Sequence, residues 1–409
     1  MAQFGSTTGE KKPVRVAVVA AGVVSPLGFG LAETLNSLRR AKDCVTAVTR
    51  FSVAECRCKT AGQIPDDRLL AGPNKKQRAK RLHRASHMMI HALREAAMQV
   101  PQFEPELTII GTTSGGMSYG EQYYRSLCRS GNLQRAPTWI ANYPAQKPVI
   151  DAQEEVLGFF VPCQVIANAC ASGTNAIGHA FECVRSGRYQ RVLTGGYDAL
   201  SELVFTGFDS LQASTPEKCR PFDRHRAGMV LGEGAAILAL ENFELARKRG
   251  APILAEIVGY GISTDNFHIT QPDPSGVGPR QAMERALQSA QISANEVDYI
   301  NAHGTATIFN DAAEGKAISQ LFNGVPVSST KSMMGHSLGA AGAIEAVISL
   351  LALRHQFLPP NINFDALDDR LDLNIVANES RSTVARMALS NSFGFGGTNA
   401  SILIRRIEA

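Results

Sequence analysis

Residues 163–187 read CQVIANACASGTNAIGHAFECVRSG. Cys163–Ala167 is a short apolar run with strand character. Ala171–Ser186 carries a helical pattern, and Gly187 follows as a C-terminal cap. Cys170 therefore sits where a strand turns into a helix. Its small neighbours Ala169, Ala171 and Gly173 permit a tight turn and close approach of a ligand. A thiol there meets the positive end of the helix dipole and unpaired N–H groups, which predicts a lowered thiol pKa. The same N–H groups suit an oxyanion. A buried structural cysteine is the competing reading, and the turn alone favours a nucleophile only in part.

Outward from this unit the same alternation repeats. Val14–Val19, Leu107–Gly111, Arg191–Thr194, Ala235–Leu240, Ile253–Tyr260, Tyr299–Asn301, Val325–Ser328, Met387–Ser390 and Ala400–Ile404 read as buried strands. Helical patterns lie between them, notably Lys80–Gln99, Gly278–Ala290 and Gly339–Arg354. Strands alternating with helices predict an α/β protein with covered sheets. A charged helix end near Arg247–Ala251 divides the chain into residues 13–250 and 251–409. Val230–Leu240 and Phe393–Ile404 each run from a glycine-rich turn into an apolar strand near the end of a half, which hints at a duplication. No short-period repeat is visible, which argues against solenoids and propellers.

Composition sets the class. The chain has 409 residues, 44% hydrophobic and 19% charged, which excludes wholesale disorder. Its net charge of +4 is too mild to imply nucleic acid by itself. Eight cysteines are thinly spread with no secretory signal before them, so a disulfide framework is not expected. Cys56 and Cys58 have no second pair at zinc spacing. Val14–Val24 and Ala340–Leu353 are too short to span a membrane. The expectation is a cytoplasmic protein with a frayed segment over residues 1–12.

Two histidines share a context. His303 lies in Asn301-Ala302-His303-Gly304-Thr305-Ala306-Thr307 after a strand. His336 ends Ser328-Ser329-Thr330-Lys331-Ser332-Met333-Met334-Gly335-His336 and precedes a glycine–alanine helix. Turns of small and hydroxyl residues after strands are where α/β proteins place their sites. On residues alone this is cysteine–histidine chemistry with no reaction named.

Together these motifs carry a resemblance. NACASG around Cys170, HGTAT with His303, KSMMGHSLGAAG with Lys331 and His336, and NSFGFGGTN over Asn391–Asn399 resemble the β-ketoacyl-[acyl carrier protein] synthases of the I/II type. PFDRHRAGMVLGEGAA over Pro221–Ala236 resembles that family's central loop. The resemblance implies a thiolase-like fold, two similar halves in a five-layered α-β-α-β-α arrangement, in a homodimer or a heterodimer with a related subunit. It implies that Cys170 takes the acyl group, and that His303 and His336 bind the malonyl thioester carbonyl and stabilise an enolate. The N–H groups of Cys170 and Phe395 would form the oxyanion hole, and Lys331 would pair with Glu314. Thr305 and Thr307 match contacts to a phosphopantetheine arm, and Phe395, Phe208 and Gly396 match positions beside the acyl site. No metal or organic cofactor is implied for the chemistry. In some relatives, residues like Asn301, Glu345, Ser390 and Asn391 hold a structural monovalent cation.

Departures matter too. Asn168 replaces a usual threonine, and Ala306 stands where serine or glycine is common. Ser114 occupies a position that is often isoleucine, which predicts a wider acyl channel. Lys75, Lys76, Arg78, Lys80, Arg81 and Arg84 cluster with no acid from Arg68 to Arg94. A solvated helix face explains such a run, and no nucleic-acid motif accompanies it. The resemblance implies docking of an acidic acyl carrier protein at Lys75, Lys76, Arg78, Lys80 and Arg81, with Arg135 nearby. A non-catalytic chain-length partner is the alternative, and such partners lack the nucleophile. A thiolase needs a second cysteine near the C-terminus, and none follows Cys219.

Overall fold

A computed structural model describes residues 13–70, 82–130 and 136–408. Ten strands carry the architecture. They are β1 Val16–Ser25, β2 Leu107–Gly111, β3 Cys163–Ile166, β4 Arg191–Asp198, β5 Gly234–Asn242, β6 Ala255–Thr264, β7 Tyr299–Asn301, β8 Pro326–Ser328, β9 Met387–Gly394 and β10 Thr398–Arg405. Six helices matter for the layers and the site: α1 Arg84–Gln99, α2 Ser172–Arg185, α3 Glu202–Ser210, α4 Val277–Ala290, α5 Ile308–Leu321 and α6 Ala341–His355.

The two halves repeat one pairing pattern. The first runs β3-β2-β4-β5-β1, with β2 parallel to β3 and β4, and β5 antiparallel to β4 and β1. The second runs β8-β7-β9-β10-β6 with the same senses. β5 and β10 occupy equivalent places, which is the relation suggested by the two glycine-turn segments. Val16–Val18 pair with Ile257–Ala255 and join the halves into one continuous sheet.

Helices α2 and α6 lie between the half-sheets, with α1 outside the first and α4 outside the second. That gives five layers. A middle layer is apolar on every side, and α6 obeys this: Ala341 through Leu353 are all buried. The segment Leu338–His355 is apolar enough to cross a membrane, yet 89% of it is buried inside the protein. The two middle helices meet through glycine. A Cβ on Gly342 would stand 2.0 Å from Thr174 Oγ1, and one on Gly173 2.7 Å from Gly339 O. Any side chain there forces the layers apart.

Strands β1, β4 and β9 run past the expected ends, to Ser25, Asp198 and Gly394. Antiparallel pairing with long partners holds their small residues extended, whatever their weak strand propensity. Helix α1 starts at Arg84 instead of Lys80, because His83 caps it: His83 Nδ1 accepts from Ala85 N at 3.1 Å.

Candidate active site

The turn between β3 and α2 is strained and tied down. Ala169 takes φ 58°, the left-handed region that costs an alanine of order 1–3 kcal/mol. Ser172 Oγ accepts from Asn168 N at 2.9 Å and donates to Ala169 O at 2.6 Å. Thr113 Oγ1 also donates to Ala169 O, and Thr398 Oγ1 donates to Asn168 O. The turn is therefore held by the first residue of α2 and from the ends of two strands, β2 and β10, and it presents Cys170 at the start of α2.

Cys170 is buried, and burial pushes its thiol up to about 12. The positive charge of Lys331 and the backbone N–H groups of Phe395 and Cys170 itself pull the other way without prevailing. This reverses the lowered pKa expected from the helix N-terminus, because desolvation of an anion outweighs a partial dipole charge. The two N–H groups are those expected to form an oxyanion hole.

His303 follows β7 in a turn whose backbone is held by a buried carboxylate. Glu314 of α5 accepts from His303 N and Gly304 N, each at 2.8 Å. Ala306 takes φ 67°, and its N–H donates to Asp311 Oδ1. The left-handed conformation explains why glycine suits that position, and it leaves Ala306 strained. His336 is placed by strand-like bonds to the central loop: its N–H donates to Val230 O at 2.7 Å, and its carbonyl accepts from Gly232 N at 2.8 Å.

The tertiary structure brings the three side chains together. Cys170 Sγ and one ring nitrogen each of His303 and His336 lie within 4.8 Å of one another. The rings stand edge to face, 5.2 Å apart at 83°. Among the described residues, His303 Nδ1 and both ring nitrogens of His336 have no hydrogen-bond partner. Burial, then the Lys331 charge, holds both imidazoles well below their ordinary pKa. They are neutral N–H donors at physiological pH. All three residues line one cavity with Thr305, Thr307, Phe395 and Gly396. Phe208 of α3 stacks on Phe395, centroids 5.5 Å apart.

Two expectations are corrected. Lys331 does not pair with Glu314; its ammonium is bonded to Glu345 of α6, both side chains fully buried. Glu314 is already engaged by the His303 turn and by Asn391 Nδ2 at 3.1 Å. Ser114 does not line the cavity. Its N–H and hydroxyl both donate to Asp198 Oδ1, at 2.8 and 2.7 Å. The hydroxyl is spent on a buried anion, so the predicted widening of a channel by Ser114 loses its basis.

Three of the four residues compared with a cation site have unsatisfied atoms. Among the described residues, both side-chain polar atoms of Asn301, Ser390 Oγ and Glu345 Oε2 are buried without a hydrogen-bond partner. Asn301 and Ser390 are register neighbours on β7 and β9. Asn391 differs, since it donates to Glu314 and accepts from Ser401 Oγ. Buried orphan oxygens of this kind fit a hard monovalent cation. Lys75, Lys76, Arg78, Lys80, Arg81 and Arg135 lie outside the described residues.

Sequence reading missed Asp198 and the Lys331–Glu345 pair. Both acids stood in plain view as lone carboxylates within apolar runs, TGGYDAL and AGAIEAVISL. Such acids are buried only with partners.

Comparison with known proteins agrees with this geometry. The family described as Beta-ketoacyl synthase, N-terminal domain, matches residues 14–246, and Beta-ketoacyl synthase, C-terminal domain, matches residues 254–365. The 3-oxoacyl-[acyl-carrier-protein] synthase 2 of Synechocystis sp. is 36% identical over 420 residues, covering 98% of this chain and 99% of that protein. Among solved structures, the ishigamide ketosynthase/chain length factor superposes with a TM-score of 0.90 at 32% identity, covering 97% of this chain and 100% of the other. A type II polyketide acyl-carrier protein complexed with its ketosynthase bound to the hexaketide (AntDE:AntF) gives 0.87 at 29% identity, with 97% and 100% covered. By sequence over nearly its whole length and by fold, the chain belongs to the β-ketoacyl synthase family of condensing enzymes.

Proposed function

We propose that Cys170 carries the growing acyl group and that His303 and His336 activate the malonyl unit. The condensation then runs in two halves. In the first, Cys170 sulfur attacks the carrier thioester, and the oxyanion forms between the N–H groups of Cys170 and Phe395. The carbon–sulfur bond to the carrier breaks, and the carrier thiolate leaves with the cysteine proton. Since the thiol is protonated at rest, a neutral imidazole is the base close enough to relay that proton.

In the second half, a malonyl thioester places its carbonyl oxygen between the two imidazoles. Their N–H groups donate to it as carbon dioxide departs and its bonding electrons pass into an enolate. The enolate carbon attacks the acyl carbonyl on Cys170. The tetrahedral adduct collapses, the carbon–sulfur bond breaks, a β-ketoacyl carrier product forms, and the released Cys170 thiolate takes a proton from solvent to restore the resting thiol. Two neutral donors suit this step, because neither has to lose a charge in a dry cavity. The observation that carries the reading is the convergence of Cys170, His303 and His336 on one cavity, with His303 Nδ1 and both ring nitrogens of His336 unpartnered among the described residues.

The chemistry uses no metal or organic cofactor in this reading; a monovalent cation held by Asn301, Ser390 and Glu345 would only neutralise buried oxygen atoms. Substrates arrive on the phosphopantetheine of an acyl carrier protein, with Thr305 and Thr307 along the arm. The basic residues Lys75, Lys76, Arg78, Lys80, Arg81 and Arg135 steer the acidic carrier. The subunit works as a homodimer or beside a related ketosynthase-like subunit, in the cytoplasm. Intact-mass measurement after mixing with a panel of acyl-carrier thioesters tests the reading. Wild type gains one acyl mass and Cys170→Ala gains none; an adduct of equal rate on the variant overturns it. Charge reversal at Arg78, Lys80 and Arg81 should raise KM for carrier substrates and leave small thioesters almost unaffected.

A further inference from the structure

Asp198, at the end of β4, is completely buried and forms no ion pair among the described residues. Five donors converge on it. Oδ1 accepts from Thr112 Oγ1 at 2.9 Å, Ser114 N at 2.8 Å and Ser114 Oγ at 2.7 Å. Oδ2 accepts from Thr113 N at 2.8 Å and Gly339 N at 2.7 Å. Three of these contacts are backbone N–H groups, which can only donate, and the two hydroxyls complete the shell. A protonated carboxyl could donate only to the Thr112 or Ser114 hydroxyl, which would then have to turn its own hydrogen away from the carboxyl in a buried site. Burial raises the pKa of Asp198 against the pull of its donors. The three fixed N–H groups converging on its two oxygens are nevertheless the shell of a carboxylate anion.

The donors come from two segments at the active site: the loop 112–114 after β2, which abuts the strained Cys170 turn, and Gly339 in the strained turn after His336. Thr113, held by Asp198 through its N–H, donates with its hydroxyl to Ala169 O at 3.1 Å. Ala169 is the left-handed residue immediately before Cys170. Gly339 follows Leu338, another left-handed residue at φ 53°, two positions after His336. A Cβ on Gly339 would stand 2.8 Å from Asp198 Oδ2 and 2.6 Å from Thr112 carbonyl carbon. The close approach is therefore built for this bond. One carboxylate holds the His336 turn directly through Gly339 and the Cys170 turn through Thr113, from opposite halves of the molecule.

We propose that Asp198, as an anion, is a positioning residue that sets the spacing of Cys170 and His336 across the cavity. This rests on the roles given above to those two side chains. The charged and titratable groups facing Cys170 are the Lys331 ammonium, the neutral His303 and His336, and Asp198 itself. Lys331 favours the thiolate and Asp198 opposes it.

Removing the charge and removing one of its donors should then act oppositely on the thiol while both slow turnover. Asp198→Asn should lower condensation kcat about tenfold with KM for the carrier substrates within about twofold of wild type. It should also speed iodoacetamide alkylation of Cys170 at pH 8 by about threefold. Ser114→Ala leaves the anion less neutralised. It should lower kcat by about threefold and make alkylation slower than in wild type. Faster alkylation in both variants would mean simple loosening of the turn and overturns the proposal, as does kcat within twofold of wild type in Asp198→Asn. Should Asp198→Asn fail to fold, Ser114→Ala decides alone: slower alkylation supports the anion, equal or faster alkylation removes it. Alkylation needs no substrate, so failure of wild type to acquire an acyl mass would reject the functional reading independently of Asp198.

Discussion

Lys331 and Glu345 form an ion pair with both side chains at zero exposure, in the layer of helix between the two half-sheets. The charge of Lys331 depresses the pKa of both His303 and His336, and it favours the thiolate of Cys170. Glu345 keeps that cation buried and in place. Glu314 has a separate duty, the backbone of the His303 turn.

These two carboxylates should therefore fail differently. Glu345→Gln strands a buried ammonium and should cost about 3–5 kcal/mol of stability in urea unfolding. The double variant Lys331→Met with Glu345→Met should recover most of that loss. Glu314→Gln should cost less, about 1–3 kcal/mol, since one backbone N–H loses its acceptor. Equal losses for the two single variants would refute the assignment of partners.

Loss of either imidazole should separate the two half-reactions. His303→Ala and His336→Ala should each slow malonyl decarboxylation by about 100- to 1,000-fold, the usual penalty for one missing oxyanion donor. Cys170 should still take an acyl group, read as an intact-mass shift. Cys170→Gln should retain decarboxylation because its side chain stands in for an acylated cysteine. Normal product formation by both histidine variants is the result that rules the scheme out.

The thiol's raised pKa has a definite pH signature. Alkylation follows the thiolate fraction, and a group whose pKa lies near 12 gains thiolate about tenfold per pH unit throughout the neutral range. The logarithm of the iodoacetamide rate at Cys170 should rise with slope near one from pH 6.5 to 9 without a plateau. An ordinary exposed thiol would level off above about 8.5. A plateau below pH 8 would show that the helix N-terminus and Lys331 outweigh desolvation.

The orphan oxygens of Asn301, Ser390 and Glu345 predict a response to simple salts. Exchange of sodium and potassium for a bulky organic cation should lower the Tm, and either ion should restore it. At a cation concentration of 100 Kd the gain would be about 2.7 kcal/mol. Asn301→Ala should abolish the response; the same salt dependence in that variant would place the ion elsewhere.

Much of this architecture was legible in the chain. All ten proposed strands exist, because buried strands between amphipathic helices leave continuous apolar runs that local pattern reveals. Gly173 reads as a place of close approach, and what approaches it is the glycine–alanine helix after His336. Cys170, His303 and His336 were placed in turns after strands by their small neighbours alone. What the chain could not reveal is which distant groups share a buried space. Lys331 chose Glu345 over Glu314, and Ser114 faced Asp198 instead of a channel. The Cys170 thiol rose where its helix position predicted a fall. Each outcome depends on burial and on partners far away in sequence: Gly339 N reaches Asp198 across 141 residues. Local sequence sets propensity and period. The cost of burying a charge, and the donor or countercharge that offsets it, exists only once the two halves have packed.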